Sequence, residues 1–256
     1  MVSIAYPFEE CQCIFFTNFS KNVTDKSVER MWLFMSSINC TRSGCKDVFR
    51  SFLVKNATYE GNLEIPAIKP EKQIPRKMIS FSKAISSRDF DCWVHFYEDD
   101  VAFERIWNNP QKYLPILLRY EGVITPDFSL YRDMPLVMQQ WNIYRSRAIG
   151  HWLQSNGASV IVNTRWGDER TFDTCCIGAP KFSPIAVGSH GCIKLLSDRS
   201  VFIHGLDYVI SKLRPNAIIV YGSAPNTIFE KYRAMGITIL QFDSDYKNAH
   251  KKAVIA

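Results

Sequence analysis

From about residue 75 onward, short apolar runs recur at Lys77–Phe81, Cys92–Phe96, Gly122–Thr125, Ser159–Val162, Pro184–Val187, Ala217–Val220 and Ile237–Leu240. Their brevity and β-branched content predict strands buried on both faces. Helices are expected between the later runs. Asp133 is placed to cap one from Met134 to Ser155, with Val137, Met138, Trp141, Tyr144, Ala148 and Trp152 as its inward stripe and Gly157 as its stop. A second is expected over Gly205–Leu213, closed by Arg214-Pro215, and a third, capped by Asn226, over Thr227–Met235.

Strand alternating with helix predicts an α/β fold, a mostly parallel β-sheet with crossover helices. A distorted (β/α) barrel is preferred over the alternative, an open doubly wound sheet, because no glycine-rich turn follows the first strand. Residues 1–75 read as an irregular N-terminal extension packed on an α/β core of residues 76–256. Within the extension, Asp25–Phe34 predicts a short helix and Asp47–Val54 a helical segment or strand edge. Glu60–Arg76, with Pro66, Pro70 and Pro75, predicts an extended connector.

Composition narrows the classes. A chain of 256 residues, 46% hydrophobic and 22% charged, can bury one substantial core. Its net charge of +6 permits a polyanionic partner without requiring one. The first residues lack a basic start followed by an apolar run, and no stretch reaches the length of a spanning helix, so a cytoplasmic protein with no membrane partner is expected. Eight cysteines and sequons at Asn18, Asn22, Asn39 and Asn56 pull the other way without outweighing the missing signal. The spacing of Cys11, Cys13, Cys40 and Cys45 departs from that of zinc knuckles and argues against structural zinc. Cys175, Cys176 and Cys192 read as small buried hydrophobes rather than nucleophiles.

In parallel sheets ligands sit beyond the carboxyl ends of the strands. Polar residues with chemical potential collect there: His95, Asp127 and Ser129, then Asn163, Arg165 and Asp168, then His190, and finally Asp243. Asp127 and Asp168 are the candidate catalytic carboxylates, and His95 reads either as a catalytic imidazole or as a satisfied core residue. Arg165, Trp166, Asn163, Ser129 and His190 are candidate substrate contacts, with Arg165 clamping an anionic group and Trp166 stacking on a base or closing the loop. Asp127, Asp168 and Asp243 would together suit Mg²⁺ or Mn²⁺.

The segments WVHFYEDDVAFERIWNNPQKYLPIL, GVITPDFSLYRDMPLVMQQWNIYRSRAIGHWLQSNG, VIVNTRWGDERTFD and IIVYGS resemble a family of bacterial and bacteriophage proteins known as domain of unknown function 4417. The resemblance runs from about Phe81 to Asp243. It rests on Pro126-Asp127-Phe128-Ser129, Met134-Pro135, Trp141, Arg145, Arg147, Asn163, Arg165 and Trp166. It implies one coherent domain in a bacterial or phage cytoplasmic setting and carries no assigned activity.

The leading expectation is therefore a divalent-metal-dependent enzyme acting on a phosphate-containing substrate such as nucleic acid or a nucleotide. The alternative is a non-catalytic module binding nucleic acid, a nucleotide or a protein, suggested by the 13% aromatic content and the lack of a complete catalytic motif. A glycoside-type hydrolase using Asp127 and Asp168 is a weaker third reading.

Overall fold

The computed structural model describes residues 47–245 and 247. The chain divides into two compact units, residues 1–55 and 56–256. The helix expected at Asp25–Phe34, the first four cysteines and the basic residues Lys251 and Lys252 lie outside the described residues. Of the first unit, a single 3₁₀ turn, Ser51–Val54, is described. The Asp47 carboxylate accepts from the Ser51 hydroxyl at 2.7 Å and the Phe52 amide at 3.2 Å.

The second unit opens with a small hairpin of β1 (Tyr59–Glu60) and β2 (Ile65–Pro66). The sheet strands then follow: β3 (Met78–Ser80), β4 (Trp93–His95), β5 (Gly122–Ile124), β6 (Val160–Asn163), β7 (Ile185–Gly188), β8 (Ala217–Tyr221) and β9 (Thr238–Phe242). They form one seven-stranded sheet in the order β3-β4-β5-β6-β7-β8-β9, with every pairing parallel. All seven expected strands are present. Because spatial order follows chain order without reversal, the sheet has no doubly wound switch point.

The register shows how the sheet curls. It places Met78, Trp93, Ile124, Ile161, Ala186, Ile219 and Leu240 on one face, where they pack into a single cluster. Toward the carboxyl ends the same face carries His95, Asn163, Gly188 and Tyr221. The His95 and Tyr221 ring centroids lie 4.7 Å apart, and Tyr97 stacks on Tyr221 at 4.6 Å with planes 10° apart. In a flat sheet, four strand spacings of about 4.8 Å would separate β4 from β8 by roughly 19 Å. Ring contact therefore requires the sheet to roll into an open half-barrel, with this face as the interior. On its floor the Trp93 indole covers Gly122, where a Cβ would meet the ring at 2.5 Å.

The crossovers carry α1 (Phe81–Ala84), α2 (Asp100–Asn108), α3 (Pro110–Leu117), α4 (Leu136–Ser155), α5 (Leu196–Leu213) and α6 (Asn226–Ala234). None of them is long and apolar enough to cross a membrane, among the described residues. The sequence pattern missed α2 and α3, which are short and broken from one another at Asn109-Pro110. It also began α5 nine residues late, because the first turn exposes Leu196 and has no side-chain cap. Asn226 is the first helical residue of α6 and its side chain makes no cap; Asn226 Oδ1 accepts from Arg233 instead, at 2.9 Å.

Helix α4 keeps the later part of the expected stripe, with Ala148 and Trp152 buried, and corrects the earlier part. Val137, Met138 and Trp141 are exposed, and Asp133 is not the cap, since Pro135 holds that position. The buried face carries Gln139, Asn142, Arg145, Ser146 and Arg147. The cause lies in the loops that α4 backs, whose buried carbonyls need donors. Gln139 donates to Met134 O at 3.0 Å, Asn142 to Ser129 O at 2.7 Å and Ser146 to Pro126 O at 2.7 Å. Arg147, 1% exposed, donates to the carbonyls of Ile177, Asn163 and Cys175 at 3.2, 3.1 and 2.6 Å. Burial draws the Arg147 pKa down to about 10, still leaving it charged at neutral pH.

His95 is 2% exposed, and its Nδ1 accepts the Tyr97 amide at 3.2 Å. Burial lowers its pKa to about 4; the Asp245 charge opposes the shift and Lys83 adds to it. The unfolded chain, with an ordinary histidine value near 6.5, therefore takes up a proton that the fold refuses as pH falls through the window from about 6.5 to 4. Wild type is expected to lose about 2–3 kcal/mol more than His95→Asn between pH 7 and pH 4.5, as measured by urea unfolding. Parallel losses in the two proteins would show that His95 carries no such linkage.

Candidate functional site

The mouth of the half-barrel is organised around Asp127, which follows β5 behind Pro126 and is buried. Its Oδ1 accepts from Asn163 Nδ2 at 2.7 Å and its Oδ2 from Arg165 Nη1 at 2.6 Å. Asn163 ends β6, and its Oδ1 accepts the Tyr97 hydroxyl at 3.0 Å, which fixes the orientation of the amide. Burial pushes the Tyr97 phenol well above its usual range, so it remains a donor. Burial likewise pushes the Asp127 carboxyl up, with Arg165 and Asn163 pulling it partway back. The result is a fixed chain, Tyr97 to Asn163 to Asp127 to Arg165, tying the ends of β4, β5 and β6.

Arg165, Gly188 and His190 form a wall shared by two chambers. One, of about 360 Å³, is lined by the apolar side chains Leu130, Trp166, Val187, Val201 and Phe202 and by the charged side chains Arg132, Arg165 and Asp198. The other, of about 470 Å³, is bounded by Tyr97, Glu98, Asp99, Asp127, Tyr221 and Asp245. His190 is exposed in a turn closed by Cys192 N donating to Ser189 O at 3.1 Å.

The expected site residues divide accordingly. Asp127, Asn163, Arg165, Trp166 and His190 meet at the mouth. Ser129 instead ties its loop to the start of α2, its hydroxyl donating to Asp100 at 2.8 Å. Asp168 caps the 3₁₀ turn Glu169–Thr171, accepting the Arg170 amide at 3.1 Å, and pairs with the Arg170 guanidinium. Asp243 accepts from Lys247 at 2.8 Å and Gln241 at 3.2 Å. Asp127, Asp168 and Asp243 thus each answer to a different cation. Among the described residues, no three His, Cys, Asp or Glu side chains gather as a group able to hold a metal ion.

Sequence reading passed over Arg132, Asp198 and Phe202. Arg132 and Asp198, both lining the smaller chamber, form an ion pair. The two residues are far apart in the chain, on a loop and a first helical turn, where no periodic pattern marks them. Phe202 was hidden by the late start assigned to α5.

Trp166 packs against α5, its ring 5.6 Å from that of Phe202, and leaves no room at Gly205, where a Cβ would stand 2.2 Å from the indole nitrogen. Alanine in a helix normally gains up to about 1 kcal/mol over glycine. Here overpacking should outweigh that gain, so Gly205→Ala is expected to lose about 1–3 kcal/mol in thermal unfolding and to shift the tryptophan emission. A stabilised variant with unchanged emission would contradict the packing described.

Comparison with known proteins places the chain. The 'Gene 1 protein' of Mycobacterium phage D29 is 33% identical over 163 residues, covering 62% of this chain and 60% of the relative. The 'Gene 1 protein' of Mycobacterium phage L5 is 34% identical over 163 residues, covering 62% of this chain and 71% of the relative. The chain thus spans about three fifths of the D29 protein's length. No solved structure matches. Residues 57–243, the hairpin and the whole sheet with its crossovers, match the domain of unknown function DUF4417, and the chain belongs to that family.

Proposed function

We propose that the protein is a binding module whose ligand, a nucleotide or a short piece of single-stranded nucleic acid, enters the smaller chamber at the strand-end mouth. The observation that carries this reading is one chamber lined both by the apolar side chains Trp166, Val187 and Phe202 and by the arginines Arg132 and Arg165. A base suits the apolar lining and a phosphate suits an arginine beside it. The volume of about 360 Å³ falls in the range of small-molecule sites.

Binding is favoured over metal-dependent catalysis by how the carboxylates are engaged. A shared Mg²⁺ or Mn²⁺ would require Asp127, Asp168 and Asp243 to exchange Arg165, Arg170 and Lys247 for one ion. A phosphate at the chamber requires no such exchange at Asp127.

A ligand that binds only the folded state raises its apparent stability. Ribonucleoside 5′-monophosphates or a short single-stranded oligonucleotide are expected to raise the melting temperature of the full chain, without turnover whether or not Mg²⁺ or Mn²⁺ is added. Val201→Trp, which fills the chamber from α5, should abolish the rise while leaving the far-ultraviolet circular dichroism unchanged. A rise retained in that variant would move the site elsewhere, and turnover that depends on either ion would replace the binding reading with the enzymatic one.

A further inference from the structure

The two arginines of the smaller chamber are held very differently, and the difference decides which one is available. Arg165 is paired with Asp127, whose side chain is only 9% exposed. Removing either partner of a buried pair strands a desolvated charge, so Arg165 stays with Asp127 and the pair presents no net charge. Arg132 is paired with Asp198 at the surface, where the two side chains are 47% and 26% exposed. Such pairs add little to stability and are readily exchanged. The base of the Arg132 arm is nevertheless anchored, because its carbonyl accepts from Arg170 at 2.7 Å and Arg170 is itself held by Asp168.

We propose that Arg132 is the arm that takes the ligand's phosphate, and that Asp198 is a built-in competing anion which the phosphate displaces. This rests on the chamber reading above and assigns the ligand's charged group within it. Exchange keeps the guanidinium paired with an anion: the carboxylate leaves, and the more highly charged phosphate that arrives can be gripped by two parallel N–H donors. The apolar lining beside Arg132, to which Trp166 and Phe202 both contribute, would hold the attached base. Asp198 therefore sets a threshold, excluding weak anions that cannot outbid a carboxylate already in place.

The expected signs separate this from a structural role. Asp198 lies in the first turn of α5, where an acidic side chain favours the helix, so a structural pair predicts that its loss harms folding and binding together. The proposal predicts that losing Asp198 improves binding. The test titrates the full chain with each ribonucleoside 5′-monophosphate, with inorganic phosphate and with a short single-stranded oligonucleotide, by calorimetry. Asp198→Asn should tighten binding about fivefold, within what a surface ion pair contributes. Arg132→Gln should weaken it about tenfold or more. The double variant should match Arg132→Gln, because Asp198 acts only through Arg132.

Weaker or unchanged binding in Asp198→Asn would overturn the proposal, as would the same tightening in the Arg132→Gln background. If probes bind and Val201→Trp blocks them, but neither Arg132 nor Asp198 matters, this assignment falls and the chamber reading survives. If no probe binds wild type or Asp198→Asn, both fall. Binding by the oligonucleotide alone, with the same response to the variants, supports the arm and assigns the phosphate to a strand.

Discussion

A carboxylate taken out of water is tolerated only where charge and hydrogen bonds replace its hydration, and Asp127 is such a group. Asn163 and Arg165 supply the replacement, and Tyr97 holds Asn163 in place. Because these four residues come from the loop after β4, the loop after β5, the end of β6 and the loop beyond it, satisfying one carboxylate aligns the ends of three neighbouring strands. The stacking of Tyr97 on Tyr221 then carries the alignment across the interior to β8. The same pairing neutralises Arg165, and that determines the electrostatics of the mouth: the charge available to a ligand must come from a looser pair.

The polar inward face of the earlier part of helix α4 follows from the same requirement. Loops that converge on a mouth bury carbonyls that no strand or helix satisfies, and a helix packed behind them must supply donors. Gln139, Asn142, Ser146 and Arg147 do so, which leaves Val137, Met138 and Trp141 to face outward. Arg147 makes its contacts entirely with carbonyl oxygens, so it joins the end of β6 to the turn at Cys175–Ile177 without needing a buried acid.

The strands were legible in the sequence because burial on both faces leaves a local mark, a short β-branched run, that survives without tertiary context. Asp127, Asn163 and Arg165 were legible for a related reason, being polar residues immediately beyond such runs. The inward face of the earlier part of α4 was not, since its polar residues are buried for the sake of carbonyls that lie elsewhere in the chain, whereas Ala148 and Trp152 further along were. Asp168 and Asp243 looked equivalent to Asp127 by position, but neighbouring Arg170 and Lys247 claim them locally. Arg132 and Asp198 meet only through the fold, so neither carries a signal on its own.

Asp127 and Arg165 form a fixed, mutually dependent pair. A double-mutant cycle of Asp127→Asn, Arg165→Gln and the double variant, read by urea unfolding at neutral pH, tests it most directly. Each single variant leaves one buried group without its partner, whereas the double variant leaves no unpaired charge. The expected coupling is on the order of 2–3 kcal/mol, with the double variant less destabilised than the sum of the singles. Losses that add to within about 0.5 kcal/mol would contradict it, showing that the carboxylate and the guanidinium are stabilised independently.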